Sequence, residues 1–312
     1  MMLKKPKFWD LSRPNLISYL LLPFTLFILL RNYFSNKKKK KKFDQIKTIC
    51  VGNIYLGGTG KTPLTLKIYE ILKNRNFNVS TAKKFYPGQR DEQLLLSKNS
   101  SLILEKTREK AIKKGIHNNL DFLIFDDGIQ DLSLEYDLKF VCFKTNNWIG
   151  NGQLIPAGPL REKVSSLIKY DAVFLNGTSN NLNKITLKIR TINPKIKIFT
   201  TSYKPINIKK FDLNLKYLIF SGIGNPNDFK NILINNKFII KKEFIFPDHF
   251  QYNKKDIEKI IKNARKEKLK IVTTEKDFVK IDSEFKSDID FLKIELSIDQ
   301  EKELIKLIEL IN

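Results

Sequence analysis

The stretch Val51-Gly52-Asn53-Ile54-Tyr55-Leu56-Gly57-Gly58-Thr59-Gly60-Lys61-Thr62-Pro63 limits what this chain can fold into more than any other. The apolar run Ile49-Cys50-Val51 reads as a buried strand. A glycine-rich turn follows, and Lys61-Thr62 then opens a helical pattern of Leu64, Ile68, Ile71 and Leu72. Strand, glycine turn and helix in that order make a phosphate-binding loop. Backbone N–H groups close on a phosphate and the helix N-terminus favours negative charge. The lysine reaches the β/γ-phosphates and the threonine hydroxyl can ligate Mg²⁺. The residues so assigned are Gly57, Gly58, Thr59, Gly60, Lys61 and Thr62. The full pattern wants a glycine where Tyr55 stands. The competing reading is a glycine-rich strand-to-helix turn that holds no ligand.

Further along, Asp121-Phe122-Leu123-Ile124-Phe125-Asp126-Asp127-Gly128 reads as a buried strand ending in two carboxylates. Alone, Asp-Asp-Gly is an ordinary turn. Downstream of a phosphate loop it has the form of a Walker B element, with Asp126 and Asp127 placed for Mg²⁺ or its water shell. Short apolar runs at 77–81, 102–104, 139–143 and 172–175 alternate with helical patterns. That alternation predicts a mostly parallel sheet flanked by helices, with ligands at the strand C-terminal ends. Residues 176–214 read as a crossover with β-like runs at 185–192 and 196–201. A second α/β unit follows, with strands at 217–221, 270–273 and 291–296 and helices at 254–266 and 299–310. The division expected is 1–43, 44–205 and 206–312.

Residues 1–43 are of a different character. Leu16 to Leu30 is almost wholly apolar and is followed by Arg31 and a lysine run from Lys37 to Lys42. At about 1.5 Å per residue the apolar core reaches about 22 Å, short of the roughly 30 Å hydrocarbon thickness, and Pro23 would kink it. Arg31-Asn32-Tyr33-Phe34 stands where a cleavage site would need small residues. The expectation is a retained N-terminal membrane-associated helix, lying in the interface or marginally spanning, with its lysines on anionic headgroups. A core helix with a solvated linker is the competing reading.

The net charge of +24 raises the question of nucleic acid, but lysines are spread along the whole chain and no nucleic-acid-binding module is present. Cys50 and Cys142 lie in apolar runs and read as buried thiols. His117 and His249 are the two histidines available for any histidine chemistry.

Seven stretches together resemble the tetraacyldisaccharide 4′-kinase (lipid A 4′-kinase) family of Gram-negative bacteria. They are 51–63, Asp91-Glu92, Asp126-Asp127-Gly128-Ile129-Gln130, 150–162 with Pro156-Ala157-Gly158-Pro159-Leu160-Arg161-Glu162, 220–226, Phe246-Pro247-Asp248-His249, and Thr273-Thr274-Glu275-Lys276-Asp277. The resemblance implies a P-loop kinase using ATP and Mg²⁺ to phosphorylate the 4′-hydroxyl of a lipid A disaccharide 1-phosphate precursor. The place implied is the cytoplasmic face of the inner membrane, with no nucleic acid and no obligate protein partner. It implies Lys61 on the γ-phosphate, Thr62 with Asp127 on Mg²⁺, and Asp91 as base for the sugar hydroxyl with His249 as its partner. Arg161, Glu162 and Gln130 would help to position substrate. The family usually has Ser-Arg-Gly-Tyr and a longer glycine-rich stretch before its Asp-Glu, and commonly His after the Gln. Here Thr81-Ala82-Lys83-Lys84-Phe85-Tyr86 stands in a shortened segment, and Asp131 follows Gln130. A rival is a membrane-targeted P-loop ATPase of the partitioning or metallochaperone class. Those proteins carry a signature lysine where Leu56 is found.

Overall fold

The computed structural model describes residues 5–36, 39–177, 181–248 and 250–311. In chain order the elements are α1 (Leu16–Leu21), α2 (Thr25–Asn36), β1 (Lys47–Gly52), α3 (Lys61–Lys73), β2 (Val79–Lys84), α4 (Arg90–Asn99), β3 (Leu102–Glu105) and α5 (Arg108–His117). Then come β4 (Phe122–Asp126), β5 (Leu138–Lys144), β6 (Ala172–Asn176), α6 (Leu182–Ile192), β7 (Lys197–Pro205), β8 (Lys216–Ser221) and α7 (Pro226–Asn235). The chain ends with β9 (Ile239–Ile245), α8 (Lys254–Lys266), β10 (Lys270–Thr274), α9 (Glu275–Phe278), β11 (Ile289–Leu292), β12 (Ile294–Ile298) and α10 (Glu301–Glu309).

These elements form two compact units that interleave in sequence. The larger comprises Leu3–Phe85, Ser100–Ser202 and Leu296–Asn312; the smaller is built from Tyr86–Asn99 and Tyr203–Glu295. This differs from the 44–205/206–312 division in two places. Residues 86–99 belong with the later unit, and the C-terminal segment returns to the earlier one.

The larger unit carries an eight-stranded sheet in the order β12-β7-β6-β5-β1-β4-β2-β3. β1 lies between β4 and β5 and is parallel to both, with Val51 opposite Asp126. The end of the strand that feeds the glycine loop therefore lies beside the end of the strand that carries the carboxylates. These central strands are buried on both faces, as parallel strands covered by helices must be. Helix α3 turns Leu64, Ile68, Ile71 and Leu72 inward, the spacing of one helix face. Each such fully buried aliphatic side chain contributes about 1.5–3 kcal/mol.

The smaller unit has a four-stranded parallel sheet, β11-β10-β8-β9. Helix α8 covers it with Ile257, Ile260, Ile261 and Ala264. A capping box between Asn253 and Asp256 fixes the start of that helix.

Three local expectations are corrected. Residues 185–192 are helical, because Ile185 and Ile189, four apart, are the buried pair of α6. The run 291–296 is split at Lys293: β11 ends at Leu292 against Thr274, whereas β12 joins the larger sheet. The second strand starts at Val79 and runs on to Lys84, while Phe77 packs edge-on against Phe122 at 5.0 Å.

The N-terminal segment breaks at Pro23 into α1 and α2, joined by a short 3₁₀ turn. Its burial is the reverse of a water-soluble helix. Ser18 and Thr25 are buried, and Asn151 donates to the Ser18 hydroxyl at 2.9 Å. Leu20 and Phe27 are 68% and 71% exposed, and Leu16, Phe24 and Phe34 are exposed with them.

Candidate active site

In the larger unit the glycine loop runs from the end of β1 to the start of α3. Gly60 stands just before α3 with φ of 95°, a left-handed conformation that glycine adopts without penalty. The Asn53 side chain ties the loop by donating to the carbonyls of Tyr55 (2.6 Å) and Gly57 (3.0 Å). Tyr55, where a first glycine was expected, is buried and locally extended, and it bridges Leu160 antiparallel. Leu56 N–H donates to the Pro159 carbonyl (2.8 Å) and Arg161 N–H to the Ile54 carbonyl (2.7 Å). The first half of the loop is thus a short strand paired with the segment 154–161, which leaves no need for glycine at Tyr55 and fixes Arg161 close by.

Thr62, in the first turn of α3, donates its hydroxyl to Asp126 Oδ2 at 3.0 Å. Asp126 Oδ1 is buried with no hydrogen-bond partner. Asp127 follows with φ of 68°, held by its own N–H to the Val51 carbonyl (2.9 Å) and by Arg108, which donates to the Asp127 carbonyl at 3.1 and 3.3 Å. Gly128 must be glycine here, since a Cβ would lie 2.5 Å from Arg108 Nε at φ of 154°. Burial acts to raise the Asp127 pKa. Lys61, Arg161, Lys83 and Arg108 together outweigh it and hold the carboxyl below the usual range. Arg161 lies 3.7 Å from Asp127 Oδ2.

Gln130 links three of the expected residues. It donates to the Asn53 carbonyl (2.9 Å) and to Glu162 (3.2 Å), and accepts from Arg161 (3.3 Å). Asp131 pairs with Arg108 at 3.0 Å, so the residue that departs from the family pattern supports the arginine that holds Asp127. Thr62, Asp126 and Asp127 offer hard oxygen donors, and the unpartnered Asp126 oxygen suits a divalent cation. No group of three or more His, Cys, Asp or Glu able to hold a metal occurs among the described residues.

In the smaller unit Asp91 lies in the first turn of α4 and is fully buried. Lys276 Nζ is 3.2 Å from Asp91 Oδ2, 3.3 Å from Asp248 Oδ1 and 3.9 Å from Glu92 Oε1. Burial acts to lower the Lys276 pKa, but Asp248, Asp91 and Glu92 outweigh it and raise it above the usual lysine value. Next in sequence, buried Asp277 accepts from Gly222 N–H (2.9 Å), the Thr274 hydroxyl (2.8 Å) and the Tyr252 hydroxyl (3.0 Å). The Thr-Thr-Glu-Lys-Asp stretch therefore has two tasks: Lys276 holds Asp91, and Asp277 fixes the turn after β8. His249, expected to partner Asp91, lies outside the described residues.

Sequence reasoning had assigned no role to Lys276, Asp277, Arg108 or Lys83. Lys276 and Asp277 stood in a stretch already singled out. Arg108 carried no signal within a chain of 57 lysines and arginines, and Lys83 stood only within the segment that departs from the family pattern.

A family model described as tetraacyldisaccharide-1-P 4′-kinase matches residues 16–311. A tetraacyldisaccharide 4′-kinase from Pelagibacter ubique (strain HTCC1062) is 49% identical over 99% of both chains. One from Rickettsia akari (strain Hartford) is 31% identical over 94% of this chain and 93% of its own. Among solved structures, LpxK from Aquifex aeolicus in complex with ATP matches 95% of this chain and 99% of its own, with a TM-score of 0.70 and 22% identity. The fold is that of LpxK, and the partitioning or metallochaperone alternative is not favoured. From the matched length and the identity to curated relatives, the chain belongs to the tetraacyldisaccharide-1-P 4′-kinase family, and it is a kinase.

Proposed function

We propose that this protein transfers the γ-phosphoryl group of ATP to the 4′-hydroxyl of tetraacyldisaccharide 1-phosphate, the lipid A precursor, at the cytoplasmic face of the inner membrane. The carrying observation is the larger unit's combination of glycine loop, Thr62, Asp126 and Asp127 in one hydrogen-bonded group. Backbone N–H groups of Gly57–Gly60 and the start of α3 cradle phosphate, and Lys61 neutralises its charge in transit. Thr62, Asp126 and Asp127 would hold Mg²⁺, which would screen the phosphate oxygens while the bond breaks. Arg161, oriented by Gln130 and pairing with Asp127, supplies a further positive charge, and Glu162 holds Gln130 in turn. Asp91 takes the proton from the attacking hydroxyl. Lys276, with Nζ 3.2 Å from Asp91 Oδ2, holds that carboxylate in place. His249 is assigned as the partner of Asp91 on the family resemblance.

The N-terminal segment supports attachment to the membrane. Leu16 to Phe34 is a run of 19 helical residues, tightened to a 3₁₀ turn at Leu22–Phe24, and is long and apolar enough to cross a membrane by length and composition. The polar-inward, apolar-outward burial matches a helix that rests on protein and faces lipid, with nearby lysines on anionic headgroups.

The test is phosphate transfer from ATP to tetraacylated disaccharide 1-phosphate in detergent micelles, with Lys61→Ala beside the wild type. Transfer by the wild type, falling about 100-fold or more in the variant, is expected. ATP hydrolysis without transfer by the wild type would refute the acceptor assignment.

A further inference from the structure

Lys83 is the last residue but one of β2, at the strand's C-terminal end and one strand over from Asp126, and is only 3% exposed. A buried ammonium is costly unless an anion meets it. Here the anion is Asp126: Lys83 Nζ lies 2.8 Å from Asp126 Oδ2, the same oxygen that accepts from Thr62, with both side chains at 2% exposure or less. The carboxylate proposed for the cation site thus already carries a positive charge of the protein's own. Its second oxygen, Oδ1, is left without a partner.

We propose that Lys83 is a resident counter-ion of the Mg²⁺ site, a positioning residue that holds Asp126 in place without metal and weakens the hold of that carboxylate on an incoming cation. The inference rests on the metal assignment made above. Two physical arguments carry it. Asp126 and Asp127 are consecutive carboxylates at the end of one strand, and with no cation between them they repel. Lys83 offsets that repulsion from one side, as Lys61 and Arg161 do from the other. The same charge acts against the metal. A divalent ion accepted by Oδ1 shares its carboxylate with the ammonium on Oδ2, and like charges so close disfavour each other. The larger unit is therefore built to keep its shape between turnovers and to release the cation readily.

The test uses the full chain in detergent micelles, with Mn²⁺ as the probe and free Mn²⁺ counted by electron paramagnetic resonance. Lys83→Met removes the charge and keeps the apolar stem; Lys83→Arg keeps the charge. Lys83→Met is expected to bind Mn²⁺ about tenfold more tightly than the wild type, the effect of removing one nearby unit charge. Lys83→Arg should stay near the wild-type value. Without metal, Lys83→Met should melt at a lower temperature than the wild type and regain more of that loss when Mn²⁺ is added. If Lys83→Met does not fold, Lys83→Gln carries the same expectation. Equal or weaker Mn²⁺ binding by the charge-free variant would overturn the proposal and leave the metal site standing. If neither protein bound Mn²⁺ while both still bound a fluorescent ATP analogue, the metal assignment would fall and this inference with it.

Discussion

Replacing Lys276 by methionine isolates the contribution of one buried charge. The ammonium sits among three carboxylates of the smaller unit, within 3.2 Å of Asp91, 3.3 Å of Asp248 and 3.9 Å of Glu92. Asp91 is fully buried, and the lysine side chain is only 19% exposed. Removing one partner of such a group leaves charge uncompensated away from water, which costs about 3–5 kcal/mol. Lys276→Met should therefore lose about 3 kcal/mol or more at neutral pH. The loss has a pH signature. In the wild type the Lys276 pKa is raised on folding, so its stabilisation is fully present below the ordinary lysine value, about 10.4, and is lost as pH rises through the folded value. Urea unfolding of the detergent-solubilised chain, followed by circular dichroism at about pH 8 and about pH 11, reads the deficit and its shrinkage at high pH. Asp91→Asn combined with Lys276→Met should recover part of the loss. A deficit under about 1 kcal/mol, or one equal at both pH values, would refute the account of Lys276 as the group that compensates this cluster.

Asp91→Asn should abolish phosphate transfer while leaving ATP affinity within about twofold of the wild type, because removing a base acts on the chemical step; equilibrium binding of a fluorescent ATP analogue beside the transfer assay checks both, and an active variant would remove Asp91 as the base. Gly128→Ala should destabilise the protein by about 1–3 kcal/mol through its φ of 154° and the clash with Arg108, read as a fall in melting temperature. Leu20→Glu with Phe27→Glu should leave the melting temperature nearly unchanged, since both side chains point outward, yet sharply reduce co-sedimentation with vesicles rich in anionic lipid.

The nucleotide site of the larger unit was readable because its signals are contiguous. Strand, glycine turn and Lys61-Thr62 follow one another, and Asp126-Asp127 close one buried strand. Tyr55 looked like a defect in that pattern. The structure accounts for it through pairing with Leu160, a contact across 105 positions that no local motif records. The charge cluster of the smaller unit was hidden for the same reason: Asp91, Asp248 and Lys276 meet only through tertiary structure. Lys83 was masked differently, since a lysine in a lysine-rich chain gives no sign that it is buried. The run 185–192 read as β-like because its isoleucines and threonines favour strands. The four-residue spacing of Ile185 and Ile189, together with tertiary packing, overrode that preference.

The interleaving of the two units sets the order in which the protein can be completed during synthesis. The chain passes from one unit to the other after Phe85, Asn99, Ser202 and Glu295. The larger unit, which contains the glycine loop near the beginning of the chain, also needs the last segment, where α10 buries Leu304 and Ile308. A nascent chain that has made β1 to β6 still lacks the strand that ends the eight-stranded sheet and the helix that follows it. The smaller unit, by contrast, has all of its residues once Glu295 has been added. The ribosome therefore supplies the phosphate-binding half first in sequence and finishes it last, and no cut at a single position separates the two halves intact.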